Sequence, residues 1–267
     1  MNKPTTYKLF LGNCLDIMIQ IADKSIDCII CDLPYGQTAR NKWDVIIPFD
    51  LLWKHYNRII KDNGVVILFG NGMFTAELMQ SNKKMWKYNL IWEKTQPTGF
   101  LNAKRMPLRS HEDIVIFSKK EDFEYPHEDI CIFYKKPPTY NPQKTTGHVR
   151  KVSKAEHKTN CKETTDYGEH SLSTYDSTER YPKSVWKFAK DSQKSSLHPT
   201  QKPVALIEEL IKTYTDEGDT ILDNCMGSGT TGVACINTNR KFIGIELEQE
   251  YFDISEQRIE ETYSMKI

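Results

Sequence analysis

The chain has 267 residues, which is enough for one large domain or for a core domain that carries an insertion. Lys and Arg number 36, as do Asp and Glu, so the formal charge of zero excludes a chain-wide attraction to nucleic acids but not a local basic face. No apolar run reaches the roughly 20 residues that a membrane helix needs, and the N-terminal apolar stretch is too short for a signal peptide. We therefore expect a soluble, cytoplasmic protein without a membrane partner.

Seven cysteines are scattered along the chain, and their odd number is typical of reduced thiols in a cytosol rather than of a disulfide framework. Cys28 and Cys31 have the spacing of metal and redox sites, but both lie inside an apolar run. Because residues three apart on a strand face opposite sides of a sheet, their sulfurs should diverge. We interpret the pair as core residues and predict no metal site.

Short apolar runs rich in β-branched residues predict strands that are buried on both faces, as in a parallel sheet. The five predicted strands are residues 25–32, 64–70, 113–119, 219–225 and 241–247. Two further segments place apolar side chains on one helical stripe, namely residues 49–62 and 203–215. Strands that alternate with amphipathic helices predict a doubly wound α/β fold.

Residues 122–196 break this alternation, because they are rich in Lys, Thr, Ser, His and Tyr and poor in aliphatic runs. A structureless loop of that length is uncommon inside a compact domain. We therefore predict that residues 1–121 and 197–267 form the core domain and that residues 122–196 are a functional insertion.

The first predicted strand ends in Asp32, Leu33, Pro34 and Tyr35, which places a carboxylate, a rigid turn and a flat aromatic ring at one strand tip. Pro34 biases Leu33 toward an extended backbone and keeps the acid and the ring in a fixed relation. Taken alone, the tetrapeptide is also typical of a strand-ending turn with a capping Asp, so its meaning depends on the other motifs of the chain.

Residues 223–234 form a glycine-rich turn that follows a predicted strand and opens a predicted helix. Gly227 and Gly229 permit a tight turn and a close approach of the backbone to a ligand. The helix start at Thr230 and Thr231 offers free N–H groups to a polar or anionic group. The turn lacks the Gly-Lys-Ser/Thr ending of the phosphate loop and the third glycine of the dinucleotide fingerprint.

The next predicted strand ends in Glu246, where a carboxylate can accept hydrogen bonds from both hydroxyls of a ribose. Together with the glycine-rich turn, this carboxylate predicts a site for a cofactor that contains a nucleoside. The segment His-Pro-Thr-Gln-Lys-Pro at 198–203 presents Thr200, Gln201 and Lys202 from a backbone fixed by two prolines. By itself that segment indicates only a rigid lead-in to a helix.

Five segments, in one order along the chain, resemble the β-type subgroup of amino-directed DNA methyltransferases. Residues 32–35 resemble the family's Asp-Pro-Pro-Tyr signature, and residues 223–231 resemble its S-adenosylmethionine loop. Residues 9–18 are similar to its opening Gly-Asp-x-Leu element, residues 109–120 to the strand after the catalytic one, and residues 198–203 to the segment before the cofactor loop. The catalytic tetrapeptide comes first and the cofactor loop last, which is the permuted order of this subgroup.

The resemblance implies a Rossmann-like methyltransferase fold with a mixed, mostly parallel sheet, in which residues 122–196 are the target-recognition region. It implies a site-specific enzyme that transfers a methyl group from S-adenosylmethionine directly to N6 of a flipped adenine in double-stranded DNA, as in restriction-modification systems. Its catalytic residues would be Asp32, Leu33, Pro34 and Tyr35. Its cofactor-binding residues would be Asn13, Asp32, Thr200, Lys202, Asp223, Gly227, Ser228, Gly229, Thr230 and Glu246.

The tetrapeptide suits this chemistry because the lone pair of an exocyclic amine is delocalised into the ring, which makes the amine a poor nucleophile. The Asp32 carboxylate and the Leu33 carbonyl can accept both N–H bonds of the amine, which favours a pyramidal nitrogen aimed at the methyl group. Tyr35 supplies a face on which the base can stack, a contact worth about 1–3 kcal/mol in other sites.

The chain departs from the family pattern at three places. Leu33 replaces the usual proline but keeps the backbone carbonyl. Asn13 replaces an Asp, and its amide oxygen can still accept a hydrogen bond from the adenine amino group of the cofactor. Asn224 and Cys225 stand where the family has Pro and Phe in the wall around the methionine moiety.

Two basic segments, residues 94–111 and 133–154, are predicted to contact DNA. In the second, tyrosines alternate with basic residues, a mixture that suits phosphate contact and groove probing. The candidate contacts are Lys94, Lys104, Arg105, Arg109, Lys135, Lys136, Arg150 and Lys151. The resemblance further implies a homodimer and a cognate restriction endonuclease as candidate partners.

Three alternatives stay open. The nearest is methylation of cytosine N4, although Asp32 favours adenine, since cytosine-N4 relatives often begin this motif with Ser. The others are methylation of RNA or of a protein glutamine, where Asn-Pro-Pro-Tyr is common, and a cofactor-binding module without activity. Cytosine-C5 chemistry is excluded, because it needs a cysteine nucleophile, typically after a proline, and the sequence contains no Pro-Cys dipeptide.

Overall fold

The computed structural model describes residues 7–36, 44–98, 108–119, 139–153, 175–189, 191 and 201–266. Within these ranges the strands are β1 (Tyr7–Leu11), β2 (Ile26–Cys31), β3 (Ile60–Gly70), β4 (Trp86–Thr98), β5 (Arg109–Ser118), β6 (Lys151–Ser153), β7 (Tyr175–Ser177), β8 (Val185–Phe188), β9 (Thr220–Asp223) and β10 (Lys241–Glu246). The helices are α1 (Cys14–Met18), α2 (Phe49–Ile59), α3 (Met73–Ser81), α4 (Val204–Tyr214), α5 (Thr230–Asn237) and α6 (Gln249–Lys266). None of these helices combines the length and the apolar character that crossing a membrane requires.

Eight of the strands form one sheet in the order β1-β10-β9-β2-β3-β5-β4-β8, and β6 and β7 form a separate two-stranded ribbon. Neighbouring strands from β1 to β3 are parallel, β5 is antiparallel to both β3 and β4, and β8 is parallel to β4. Each of the five strands predicted from apolar runs is present. The predicted doubly wound α/β fold with a mixed, mostly parallel sheet is therefore confirmed.

The strand that leads to Asp32 lies at the centre of this sheet, between β9 and β3. All residues of β2 except Asp27 are buried, which explains why its sequence is a nearly continuous apolar run. Ile29 of β2 pairs with Leu222 of β9. Because parallel strands end at the same edge of a sheet, Asp32 and Asp223 emerge side by side at the carboxyl edge.

Helices cover both faces of the sheet. One apolar cluster lies between the sheet and α4, α5 and α6, and a second lies between the sheet and α1, α2 and α3. Cys28 belongs to the first cluster and Cys31 to the second, so the predicted divergence of these two thiols is confirmed. Each Leu or Ile that is fully buried contributes about 1.5–3 kcal/mol, so the two clusters outweigh any single polar contact in the fold.

The two helices predicted from apolar stripes are present, and their stripes face the sheet. The buried stripe residues are Leu52, Tyr56 and Ile59 in α2 and Leu206, Ile207, Leu210 and Ile211 in α4. The first helix ends three residues earlier than predicted, because the chain passes directly from α2 into β3.

Arg58 of α2 holds the end of α1 in place. Its guanidinium donates hydrogen bonds of 2.6 Å to the backbone carbonyls of Met18 and Ile21 and to the Asp23 carboxylate. Carbonyls at the end of a helix have no partner within that helix, and a cation also suits the negative end of the helix dipole. This contact fixes the position of α1, whose N-cap is Asn13.

The predicted insertion does not lie wholly outside the core. β8 falls within residues 122–196, yet it pairs with β4 and extends the main sheet at its edge. β6 and β7 form the separate ribbon, and a bridge between Thr145 and Arg180 continues it. In the described part of the chain, the main sheet thus gains a strand at Val185, within the predicted insertion, and the domain boundary at residue 196 stays a prediction.

We predict that Gly232→Ala lowers the free energy of unfolding. A Cβ at this position of α5 would lie 2.4 Å from Cδ1 of Ile259 on α6 and 2.8 Å from Cε1 of Phe242. Overpacking costs about 1–3 kcal/mol, against a gain of about 1 kcal/mol in helix propensity, so we expect a net loss of about 1 kcal/mol in urea unfolding. In an Ile259→Val background, which lacks Cδ1, the same change should cost less. Equal costs in both backgrounds would contradict the proposed contact.

Candidate functional site

Two neighbouring residues connect the Asp-Leu-Pro-Tyr tetrapeptide at residues 32–35 to the glycine-rich turn. The Ser228 hydroxyl of the turn donates to Gln201 Oε1 at 3.4 Å, and Nζ of the next residue, Lys202, donates to Oδ2 of Asp32. The strands that lead to the two corners, β2 and β9, are adjacent and parallel. The structure therefore brings the early Asp-Leu-Pro-Tyr corner and the late glycine turn together at one edge of the sheet.

Tyr35 is held by two contacts that fix its ring beside Asp32. Its hydroxyl donates to Oδ1 of Asp32 at 2.7 Å, and its ring stacks on Phe74 of α3 with centroids 4.6 Å apart and planes inclined by 30°. Offset stacking at this separation is favourable, and α3 thus supports one side of the ring. Leu33 packs its side chain into the apolar cluster below, which anchors the backbone between the acid and the aromatic ring.

Asp32 belongs to a cluster of four charged side chains at the carboxyl edge. Lys202 contacts Asp32 and also lies 3.4 Å from Oε2 of Glu112 on β5, with its Nζ 5.0 Å from the centroid of the Phe69 ring. Glu112 Oε1 accepts a hydrogen bond from Lys94 of β4. Lys94 and Lys202 are both buried, so their attraction to the two carboxylates is weakly screened by water.

Burial and pairing shift the protonation of this cluster in opposite directions. Burial raises the pKa of Asp32, and Lys202 offsets only part of that rise. Burial also raises the pKa of Glu112, but Lys202 and Lys94 together outweigh it, so the pKa of Glu112 lies below its ordinary value. Burial lowers the pKa of Lys202, and its attraction to Asp32 and Glu112 reverses this, so the lysine remains cationic.

The glycine-rich turn adopts backbone conformations that favour glycine, with φ of 52° at Gly227 and 77° at Gly229. The turn is tied to Glu246 because the Gly227 N–H donates to Oε2 at 2.8 Å. The N–H groups of Leu247 and Glu248 donate to Oε1 at 2.9 and 3.0 Å. A carboxylate has about four acceptor positions, so Oε2 keeps one open position, whereas the predicted contact with both ribose hydroxyls needs two.

Asn13 lies beside Glu246, because the N–H of Gly12 donates to the backbone carbonyl of Glu246 at 2.7 Å. Its side-chain oxygen accepts the N–H of Leu15 at 2.9 Å and thereby caps α1. The predicted adenine contact would use the second lone pair of this oxygen. The helix cap explains why an amide can replace the family's carboxylate here without loss of α1.

The buried carboxylate of Asp223 accepts hydrogen bonds from residues of the glycine-rich segment. One of its carboxylate oxygens accepts the Thr231 hydroxyl at 2.6 Å and the other accepts the N–H of Cys225 at 3.1 Å. Burial raises the pKa of Asp223 to about 6, although both hydrogen bonds favour the ionised form. Asn224, which replaces the family's proline, is also buried and accepts a hydrogen bond from the Tyr56 hydroxyl. Asp223 therefore supports the predicted cofactor loop through internal bonds.

Ser228 and Thr230, both predicted to bind the cofactor, face α6. Arg258 of that helix donates to the Ser228 carbonyl at 3.0 Å and to the Thr230 hydroxyl at 3.1 Å. Both side chains are buried in this contact. Arg258 thus fixes the start of α5, and the two hydroxyls already have protein partners in the structure.

The predicted DNA contacts have different surroundings. Lys94 is buried and pairs with Glu112, and its predicted contact with DNA stays a prediction. Arg109, at the start of β5, is exposed and contacts Asn71 Oδ1 at 3.4 Å. Lys151 lies exposed in β6, and Arg150, directly before it, is also exposed and makes two hydrogen bonds with Asp176 of β7. The other predicted DNA contacts lie outside the described part of the chain, namely Lys104, Arg105, Lys135 and Lys136. The predicted cofactor residue Thr200 lies outside it as well.

Three residues of this site were missed in the sequence: Glu112, Phe74 and Arg258. Glu112 carried a signal, because it is an acid at the start of an apolar strand that resembles a family element. Phe74 and Arg258 carried none, because an aromatic residue or an arginine on a helix is ordinary and only the tertiary fold brings each to the site.

Comparisons with known proteins identify the same family. The model of the DNA methylase family, which covers N6 and N4 methyltransferases, matches residues 26–257. The type II methyltransferase M2.MboI of Moraxella bovis is 27% identical over an alignment of 282 positions, which spans 96% of this chain and 88% of that protein. The type II methyltransferase M.HinfI of Haemophilus influenzae is 27% identical and aligns with 94% of this chain and 67% of its own length.

Solved structures share the fold. The M1.HpyAVI–SAM complex superposes with a TM-score of 0.57 at 23% identity and covers 95% of this chain and 98% of its own. The PvuII DNA methyltransferase, described as cytosine-N4-specific, has a TM-score of 0.64 at 15% identity and covers 98% and 93%. The sheet described above is therefore of the Rossmann-like methyltransferase type.

We predict that Asp223→Asn changes how stability depends on pH. The carboxyl has a pKa of about 6 when folded and an ordinary value of 3.8, so the folded state binds this proton more tightly. The resulting stabilisation is complete below pH 4 and is lost as pH rises through 6, a loss of about 3 kcal/mol. The variant lacks this loss, so urea unfolding should show its stability rising relative to the parent between pH 4 and pH 7. Asp16→Asn, at an exposed position of α1, is the control. A constant difference between Asp223→Asn and the parent would contradict the prediction.

Proposed function

Because the chain belongs to the DNA methylase family, whose methyl donor is S-adenosylmethionine, we propose that it methylates N6 of adenine in double-stranded DNA. The target base would leave the duplex and enter the corner formed by Asp32, Leu33, Pro34 and Tyr35, since a stacked base cannot reach it. The observation that carries this proposal is the joining of that corner to the glycine-rich turn through Gln201 and Lys202.

The corner would prepare the amine by accepting its N–H bonds. Each oxygen of Asp32 already accepts one protein donor, from Tyr35 or from Lys202, and keeps a second acceptor position. The Leu33 carbonyl would take the other N–H bond of the amine. Phe74 supports one face of Tyr35, which leaves the opposite face for the base. These groups would act by orientation and electrostatics, which is where most of such rate enhancements originate.

The residues at the neighbouring strand ends fit the cofactor. When bound, S-adenosylmethionine supplies an electrophilic methyl group on a sulfonium centre. Glu246 would accept a ribose hydroxyl at its remaining acceptor position, and Asn13 beside it would take the adenine amino group. Gly227 carries no side chain, so its backbone can approach the ligand closely. At Gly229 a Cβ would instead lie 2.9 Å from Cβ of Ser255 on α6, so this glycine permits the turn to pack against that helix. Lys202, predicted as a cofactor residue, is better placed to orient Asp32.

The choice of adenine over cytosine rests on the motif, because N6 and N4 enzymes share this fold. Asp32 opens the tetrapeptide, and a leading Asp favours adenine, whereas relatives directed to cytosine N4 often begin with Ser. Methylation of cytosine N4 is the second candidate, and the structural similarity to the PvuII enzyme is the observation that favours it.

The β6–β7 ribbon and its flanking segments are the proposed target-recognition region. Lys151 and Arg109 are exposed cations that could approach phosphates, and Arg150 could exchange Asp176 for a phosphate or a base edge.

We further propose a cytoplasmic restriction-modification role with a cognate endonuclease. A homodimer is proposed by analogy with the family.

The function is tested by incubating the protein with unmethylated plasmid and S-adenosylmethionine, and then separating the nucleosides by mass. We expect N6-methyldeoxyadenosine. Asp32→Asn should lower the rate by about 100-fold or more, because its amide cannot replace the carboxylate as an acceptor for the amine, Tyr35 and Lys202 together. Its binding of S-adenosylhomocysteine, whose thioether is uncharged, should persist when measured by calorimetry.

Asp62→Asn is the matched control, since Asp62 pairs with Lys24 at 2.7 Å on the exposed surface and should leave the rate unchanged. Methylcytosine as the sole product would overturn the adenine assignment. Transfer to RNA or protein with none to DNA would overturn the DNA substrate, and full activity of Asp32→Asn would remove Asp32 from the mechanism.

A further inference from the structure

Glu112 occupies an unusual position for a residue with no established role in the site. It lies on β5, which does not touch β2, yet its side chain reaches the catalytic corner through Lys202. Oε1 accepts a hydrogen bond from Lys94. Oε2 is fully buried and has no directed hydrogen bond, and its nearest cation is Lys202 Nζ at 3.4 Å. A buried carboxylate oxygen without a hydrogen bond is costly, so a fold retains it for a compensating reason.

The charges around Asp32 balance only when Glu112 is counted. Asp32 and Glu112 supply two negative charges, and Lys202 and Lys94 supply two positive charges, so the cluster is neutral. Without Glu112 the same cluster would carry one excess positive charge. Lys94 and Lys202 have side-chain exposures of 6% and 9%, so water cannot screen that excess effectively.

The net charge of this cluster affects methyl transfer because the reaction moves a positive charge. The amine's electron pair forms the N–C bond while the C–S pair returns to sulfur, so one positive charge passes from sulfur to nitrogen. The nitrogen then releases one proton to solvent. A positive charge is therefore present beside Asp32 from the binding of the donor until the proton leaves, and a net cationic cluster would repel that charge over this interval.

We propose that Glu112 is a positioning residue for the methyl-transfer reaction, because it shares Lys202 with Asp32 and keeps the charged cluster neutral toward a cationic donor. Glu112 acts through Lys202 and touches neither the base nor the cofactor. With Glu112 present, the ammonium of Lys202 is divided between two carboxylates, so Asp32 retains acceptor strength for the amine. Without it, Lys202 pairs with Asp32 alone and competes with the amine for the same carboxylate.

This inference rests on the proposed function, and the decisive readout is binding rather than activity. S-Adenosylmethionine is a sulfonium cation, whereas S-adenosylhomocysteine has a neutral thioether. Glu112→Gln should therefore weaken the binding of S-adenosylmethionine relative to S-adenosylhomocysteine by about tenfold. A tenfold change is the order expected when one elementary charge is removed about 10 Å from the sulfonium, at an effective dielectric constant of about 20. A merely structural role would weaken both ligands equally.

The rate should respond as well. We expect Glu112→Gln to lower kcat by roughly tenfold to a hundredfold, counted per cofactor-binding site, with little change in KM for DNA. Glu93→Gln is the matched control, because Glu93 lies on the neighbouring strand β4 and pairs with Lys187 at the surface. It should leave both the binding ratio and kcat unchanged.

A double variant keeps the test informative even if Glu112→Gln folds poorly. Lys94→Met combined with Glu112→Gln removes one charge of each sign and restores a neutral pair of Asp32 and Lys202. The double variant should recover the binding ratio of the parent protein and part of kcat.

An unchanged binding ratio in Glu112→Gln, or a ratio that stays altered in the neutral double variant, would overturn the inference. These outcomes are separate from failure of the proposed function, which would appear as an inactive parent protein.

Discussion

The parallel pairing of β2 with β9 is the constraint on which the rest of the site depends. These strands are distant in the chain, yet Ile29 and Leu222 lie in register, and both strands end at the same edge. The proposed base corner after β2 and the proposed cofactor loop after β9 are adjacent for that reason. The neighbouring ends of β10 and β1 then bring Glu246 and Asn13 to the same edge. The strand order therefore brings together all the residues of the proposed site for base and cofactor.

The buried charges at this edge are a cost that the two apolar clusters offset. Removing two carboxylates and two ammonium groups from water rarely stabilises a fold, and apolar residues of similar volume often serve stability better. The cluster is therefore better explained by chemistry than by stability. It keeps Lys202 on Asp32 in a region of low dielectric, where the same attraction that orients the acid also makes the site sensitive to any net charge.

Much of this architecture could be predicted from local sequence. Strand β2 was evident because a strand buried on both faces reads as a continuous apolar run, and the glycine-rich turn was evident because Gly227 and Gly229 need positive φ. The contacts of Glu112 and Lys94 could not be predicted, because they depend on strands that meet only in the folded sheet. The edge strand β8 was missed for a similar reason, since four residues in a polar region carry no clear period.

The central claim is that an extruded base and the methyl donor meet between the Asp32 corner and the glycine-rich turn. The most direct test is a crystal structure with S-adenosylhomocysteine and a duplex that the protein methylates. We expect the exocyclic amine within about 3 Å of the Asp32 carboxylate and the Leu33 carbonyl, with the cofactor sulfur facing it and Glu246 on the ribose. A cofactor bound away from Gly227 and Glu246, or a target base seated elsewhere than on Tyr35, would contradict the account.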